Sequence, residues 1–125
     1  MSIASPAVAI VEDDAAVRTA VGNMVRSLGL RACPYDSAEA YLAVLPGDID
    51  CIISDVNMPG MSGLDFQEAL RAQGVTTPFI VMTGFATDAM AARANANGAW
   101  CFLEKPCDPE AIVGCLRRVF HDLPD

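Results

Sequence analysis

Six side chains in this sequence stand where an apolar run stops. "AVAIVEDD" ends in Glu12, Asp13 and Asp14, "CIISD" in Asp55, "PFIVMT" in Thr83, and "WCFLEK" in Lys105, the one lysine of the chain. A carboxylate at the end of a buried run loses solvation unless something meets it there. Two or three carboxylates brought together repel, and are stable only with a cation. An all-oxygen set of this kind suits Mg²⁺, which takes a few carboxylates together with phosphate oxygens and waters. A lysine adds a point charge for phosphate, and a threonine hydroxyl adds a donor. Asp55 can then act as a nucleophile that forms an acyl phosphate. Taken singly, each residue has a plainer reading: strand ends are polar in any α/β protein, and Asp14 can simply cap a helix. The joint pattern is what carries the chemistry.

These residues matter only if the fold brings them together. Apolar segments alternate with helix-like segments five times. Strands are predicted at 7–12, 31–35, 51–54, 78–83 and 100–104. The helix predicted at 15–28 carries Val17, Val21, Met24, Val25 and Leu28 on one face, with Gly29 as its stop. Asp36-x-x-Glu39 resembles a capping box and opens a helix to about Leu45. Ser62-Gly63 starts a helix that ends near Gly74. A fourth helix spans about 88–97; it is rich in alanine, with two asparagines near its end, so it offers little packing area. Asp108-Pro109-Glu110 supplies an N-cap, a first-turn proline and an early acid for the last helix, which places Ile112, Leu116, Val119 and Phe120 on one face.

Five βα units with short connections imply a parallel sheet covered on both sides. The common doubly wound order for five strands is 2-1-3-4-5. It puts strand 2 at an edge, where Pro34 is tolerated. It also puts strands 1 and 3 side by side at the switch point, beyond whose carboxyl ends ligands bind.

The composition narrows the function classes. The 125 residues suffice for one domain, and 53% are hydrophobic, so a packed core is expected. Net charge is −8, which argues against direct nucleic-acid binding. No apolar run approaches the roughly 20 residues that span a bilayer. "MSIASPAVAI" has no basic segment and runs straight into a strand, which argues against a signal peptide. The five cysteines, Cys33, Cys51, Cys101, Cys107 and Cys115, are odd in number and lack C-x-x-C spacing. They give no support to a zinc or redox motif, and most of them are expected to pack as small hydrophobes in a reducing cytoplasm.

"IVEDD", "SDVNMPGMSGLDF", "IVMTG" and "GAWCFLEKP" resemble, in order and spacing, the receiver domains of bacterial two-component response regulators, with a weaker likeness to the nitrogen-fixation and nitrate-regulator type. The resemblance covers essentially the whole chain and implies an α/β, flavodoxin-like, doubly wound (βα)5 sandwich forming one domain over 1–125, either stand-alone or excised from a longer regulator. It implies that Asp55 is the phosphoacceptor, that Asp13 ligates Mg²⁺ directly and Glu12 through water, and that Asn57 lends its backbone carbonyl. Thr83 matches the switch hydroxyl, Lys105 the phosphate-pairing lysine, and Phe102 the aromatic that turns inward when Thr83 moves. Lys105-Pro106 is implied to be cis, with Pro106 a minority isomer otherwise. The resemblance further implies that Asn57 and Phe85 border the path of hydrolytic water. Two positions depart from the pattern. Glu12 replaces a commoner Asp, and Cys107 stands where a phenylalanine is usual, leaving the packing under the last helix open.

The implied function is Mg²⁺-dependent acceptance of a phosphoryl group from the phosphohistidine of a sensor histidine kinase or a histidine phosphotransfer protein. It would switch a face made of helix 4, strand 5 and helix 5 for a partner or a homodimer, in the cytoplasm. Three other readings stand beside it. A haloacid-dehalogenase-like phosphatase also uses a strand-end Asp and Mg²⁺, but wants a second acid where Asn57 stands. A flavodoxin-like cofactor binder wants a glycine- or hydroxyl-rich loop where this one is acidic. A phosphorylation-independent interaction module does not need the complete site.

Overall fold

The computed structural model describes residues 5–121. The first four residues of the N-terminal segment, and the last four of the chain, lie outside the described residues. Five strands alternate with five helices: β1 (Ala7–Val11), α1 (Ala15–Ser27), β2 (Arg31–Tyr35), α2 (Ala38–Val44), β3 (Cys51–Asp55), α3 (Gly63–Ala72), β4 (Phe79–Thr83), α4 (Asp88–Ala96), β5 (Cys101–Glu104) and α5 (Pro109–Val119). The sheet is parallel throughout, in the order β2-β1-β3-β4-β5. Pro34 lies on the edge strand, as its missing N–H requires. No helix among the described residues is long and apolar enough to cross a membrane.

Alternation along the strands builds two cores. Ala9, Val11, Ile52, Phe79 and Val81 face α2, α3 and α4, where Tyr41, Phe66 and Leu70 fill the layer. Val8, Ile10, Ile53, Ile80 and Met82 face α1 and α5, against Val21, Val25, Ile112 and Leu116. Because both faces are covered, β1, β3 and β4 are buried at every residue. Tyr35, Tyr41, Phe66 and Phe79 form an edge-to-face series with ring centroids 5.0, 5.3 and 5.6 Å apart, a geometry that adds about 1 kcal/mol per pair beyond burial.

Three expectations are corrected. The start of α2 is not a capping box on Asp36. Ser37 is the N-cap, with its hydroxyl accepting from Ala40 N, and Glu39 instead accepts from Met61 N at 3.0 Å. An N-cap oxygen reaches the amide three residues on, and here that geometry belongs to Ser37. Glu39 thereby ties α2 to the loop after β3. β3 runs one residue further than expected, so Asp55 is its last residue rather than the first residue beyond it.

The third correction concerns cysteine. Cys101 at the start of β5 and Cys115 on α5 are joined by a disulfide. Pairing needs two Cα atoms within about 7 Å, a proximity that strand–helix packing creates and sequence spacing does not reveal. The two cysteines are 14 residues apart in sequence, and closing a loop of that length stabilises a chain by about 3 kcal/mol. Cys51 is buried as expected, and Cys33 and Cys107 are free and half-buried.

Candidate functional site

The carboxyl ends of β1, β3, β4 and β5 lie next to one another in the sheet, so the residues that end them meet over one edge. They line a cleft of about 270 Å³ bounded by Glu12, Asp13, Asp14, Asp55, Asn57, Gly84, Phe85 and Lys105. Carboxylate oxygens of Glu12, Asp13 and Asp55 lie within 4.8 Å of one another.

Each acid is held differently. Glu12 directly follows β1 and is fully buried. Its Oε1 accepts from Lys105 Nζ at 2.6 Å and its Oε2 from Asp14 N at 3.2 Å. Burial raises the Glu12 carboxyl above its ordinary value, with the bond to Lys105 partly opposing. Asp13 is exposed at the mouth. Asp14 is turned away: its Oδ1 accepts from Ala16 N and Val17 N and caps α1. The plainer reading thus holds for Asp14, and the acidic pair is Glu12 and Asp13. Arg18, which sequence reasoning left without a role, donates to the Glu12 carbonyl at 2.7 Å and fixes the path of the acidic loop. Its position on the first turn of α1, six residues after Glu12, was the available signal.

Asp55 is 4% exposed, and its Oδ1 is 3.2 Å from Lys105 Nζ. Among the described residues that ammonium is the one group paired with the oxygen. A carboxylate oxygen has two lone pairs, so one paired with a single ammonium can still accept from a further group. The loop after Asp55 folds tightly onto it. Gly63 N donates to Val56 O at 2.9 Å, and a Cβ on Gly63 would lie 2.0 Å from the Asp55 carbonyl oxygen. Only glycine lets the start of α3 approach the phosphoacceptor candidate so closely. Gly60 has φ +79°, and a Cβ there would meet the Glu39 carboxylate at 2.3 Å. This strap holds the "MPG" turn beside the cleft.

Thr83 ends β4 and is fully buried. Its Oγ1 accepts from Asn57 Nδ2 at 2.9 Å and from Phe85 N at 3.1 Å. Lys105 follows β5 and is anchored by its amide, which donates to Thr83 O at 2.8 Å. Burial lowers the tendency of its ammonium to hold a proton, but the bond to Glu12 and the charges of Asp55 and Glu12 more than offset this, so the pKa is raised. The Lys105–Pro106 bond is cis. Phe102 is half-buried against the α2–α4 core, and Phe85 is exposed at the cleft mouth. Cys107, which stands in place of a bulkier residue, lines a larger apolar cavity of about 480 Å³ between α1 and α5, beside the cleft. Burial pushes its thiol up, away from a reactive thiolate.

The donors fit Mg²⁺. They are all oxygens, they come from three acids, and they lie close enough to share one ion. When bound, the ion supplies positive charge to phosphoryl oxygens and offsets the repulsion between the acids.

Comparison with known proteins gives one answer. Residues 8–117 match the response regulator receiver domain family. The chain is 42% identical over 109 residues to the transcriptional regulatory protein FixJ of Azorhizobium caulinodans, covering 86% of this chain and 52% of FixJ. It is 40% identical over 117 residues to the response regulator protein TmoT of Ectopseudomonas mendocina, covering 92% and 53%. The chain therefore spans about half the length of these relatives. Among solved structures, the Vibrio cholerae chemotaxis protein CheY4 superposes with a TM-score of 0.85 at 32% identity, covering 94% of this chain and all of that one. The FixJ N-terminal domain superposes with a TM-score of 0.83 at 32% identity, covering 98% and 99%. An acidic cleft at the switch point of a five-stranded doubly wound sheet, and a sequence match that runs from β1 into α5, place this chain in the response regulator receiver domain family.

Proposed function

We propose that Asp55 accepts a phosphoryl group from the phosphohistidine of a sensor histidine kinase or a histidine phosphotransfer protein in the cytoplasm. A carboxylate oxygen of Asp55 attacks phosphorus in line, the P–N bond to imidazole breaks, and an acyl phosphate forms. Lys105 holds a phosphoryl oxygen with its ammonium, and Thr83 donates its hydroxyl to another. Glu12, Asp13, Asp55 and the Asn57 backbone carbonyl would hold Mg²⁺, Glu12 through water. The donor supplies the high-energy group, and this domain supplies positioning and charge. In the same sense the domain assists its own phosphorylation and dephosphorylation without being an enzyme of the ordinary kind.

The observation that carries this reading is the Asp55 carboxylate: buried at a strand end, ion-paired with Lys105, and within reach of the carboxylates of Glu12 and Asp13. A new phosphate adds about −1.5 to −2 charge at that point. Thr83 then bonds a phosphoryl oxygen, vacating space for Phe102, and the face of α4, β5 and α5 shifts between two packings, exposing a surface for a partner or a second copy. The phosphatase alternative lacks its second acid, since Asn57 occupies that place. A purely passive module gives no reason for the converging acids and lysine.

The test is labelling with acetyl phosphate and Mg²⁺. Wild type and Asp14→Asn take up one phosphoryl group, and Asp55→Asn takes up none. Labelling that persists in Asp55→Asn overturns the assignment.

A further inference from the structure

Thr83 carries a hydroxyl with one proton to give and two lone pairs to accept with. Both acceptor positions are filled, by Asn57 Nδ2 at 2.9 Å and by Phe85 N at 3.1 Å. Among the described residues no acceptor takes its proton, although the side chain is fully buried. A buried donor without an acceptor is costly, and the two groups that donate to the oxygen leave its proton as the only uncommitted element. β-Branched threonine has few χ1 choices, so two bonds to one oxygen select a single rotamer. One of the two comes from the backbone and is present whatever residue stands at position 85. The other comes from the side chain of Asn57, which is exposed, lines the cleft and stands two residues after Asp55.

We infer that Asn57 is a positioning residue for Thr83: its side-chain amide, which lines the cleft, holds the threonine hydroxyl in one rotamer before any phosphoryl group arrives. The amide fills an acceptor site of the oxygen and so presents the hydroxyl as a donor. A phosphoryl oxygen is the acceptor it lacks. The role is distinct from that of the Asn57 backbone carbonyl, and distinct from the placing of a hydrolytic water. A carboxylate at this position would reverse the bond, taking the proton of Thr83 and competing with phosphate for it. The inference rests on Asp55 as the phosphoacceptor for its kinetic consequence, but not for its structural one.

The experiment has two arms. In the first, the χ1 rotamer of Thr83 is measured by three-bond scalar couplings to its labelled γ-methyl in phosphate-free protein. Wild type shows one rotamer, Asn57→Ala shows averaging, and Asn57→Gln restores part of the wild-type value. The same couplings in wild type and Asn57→Ala overturn the inference. In the second, the rate of acetyl phosphate labelling is compared in wild type, Asn57→Ala, Thr83→Ala and the double variant, in Mg²⁺. Asn57→Ala slows labelling by about threefold to tenfold, the factor of one ordinary hydrogen bond, and has no further effect once Thr83 is alanine. An equal effect of Asn57→Ala in both backgrounds shows that it acts elsewhere and contradicts the inference. Absence of labelling in wild type overturns the phosphoacceptor reading and the kinetic part with it, while the rotamer arm decides the structural part separately.

Discussion

Phe85 is 76% exposed at the mouth of the acidic cleft. A ring left in water so close to the proposed phosphoacceptor would either cover the acyl phosphate or meet a partner, and the two roles separate experimentally. Shielding predicts that Phe85→Glu and Phe85→Ala lose phosphate faster than wild type in Mg²⁺, with Asp55 still the labelled residue. Loss no faster than wild type in both variants assigns the ring to an interface. At this scale much of the site was legible. Glu12, Asp55, Thr83 and Lys105 were found because each ends an apolar run, and a parallel sheet gathers such ends on one edge. The side-chain bond from Asn57 to Thr83 and the grip of Arg18 on the Glu12 carbonyl were not legible. Each depends on the path of a loop, and periodicity carries no information about loops. The cap made by Asp14 was readable, since aspartate is among the residues preferred just before a helix.

Helix α4 buries only Ala94, so apolar packing alone does not hold it. Its hold is polar. Arg93 bonds both Asp65 and Glu68 of α3, Gln67 Nε2 donates to the carbonyls of Ala94 and Asn97 at 3.1 and 3.2 Å, and Arg71 Nε donates to Asn97 O at 2.9 Å. The sequence foretold a poorly packed helix but not this strap, because its partners lie on another helix more than 20 residues away. Arg93→Ala is expected to speed amide exchange in α4 severalfold, with the central strands unchanged. The pH dependence follows from the same contact. Bonds from Arg93 hold the carboxyls of Asp65 and Glu68 below their ordinary 3.8 and 4.5. A depressed acid contributes stability above its unfolded value and loses it as pH falls through the lower folded value. Acidification from about pH 5.5 to about pH 3 should therefore loosen α4 in wild type, after correction for intrinsic exchange, and add little in Arg93→Ala. Equal acid sensitivity in the two proteins would show that the strap is not the cause. The disulfide between Cys101 and Cys115 is a second contact between elements that spacing rules cannot see, since they read neighbours in the chain rather than a strand against a helix.

For the molecule as a whole, the doubly wound order was legible in advance, because five alternating segments with short connections leave few ways to bury both faces of a sheet. The placing of Pro34 at the edge agreed with it. The ends of elements were less legible: β3 gained Asp55 and α2 took a different cap, since both boundaries depend on the loop beside them. The acid cluster also makes a prediction for the whole fold. Mg²⁺ at ten times its dissociation constant should stabilise the domain by about 1.4 kcal/mol, because it binds the folded cleft and not the unfolded chain. For a domain of this size that raises the thermal midpoint by about 5 °C. The gain should shrink in Asp13→Asn; an unchanged gain would place the ion elsewhere. The account stands or falls on the chemistry of one carboxylate, and reduction of the acyl phosphate tests it most directly. Borohydride converts a phosphorylated aspartate to homoserine, which peptide mass spectrometry locates in the chain. Protein treated with acetyl phosphate and Mg²⁺ should carry homoserine at position 55 and nowhere else, and untreated protein should carry none. Homoserine at Asp13 or Asp14, or none at position 55 in the treated protein, would contradict the account.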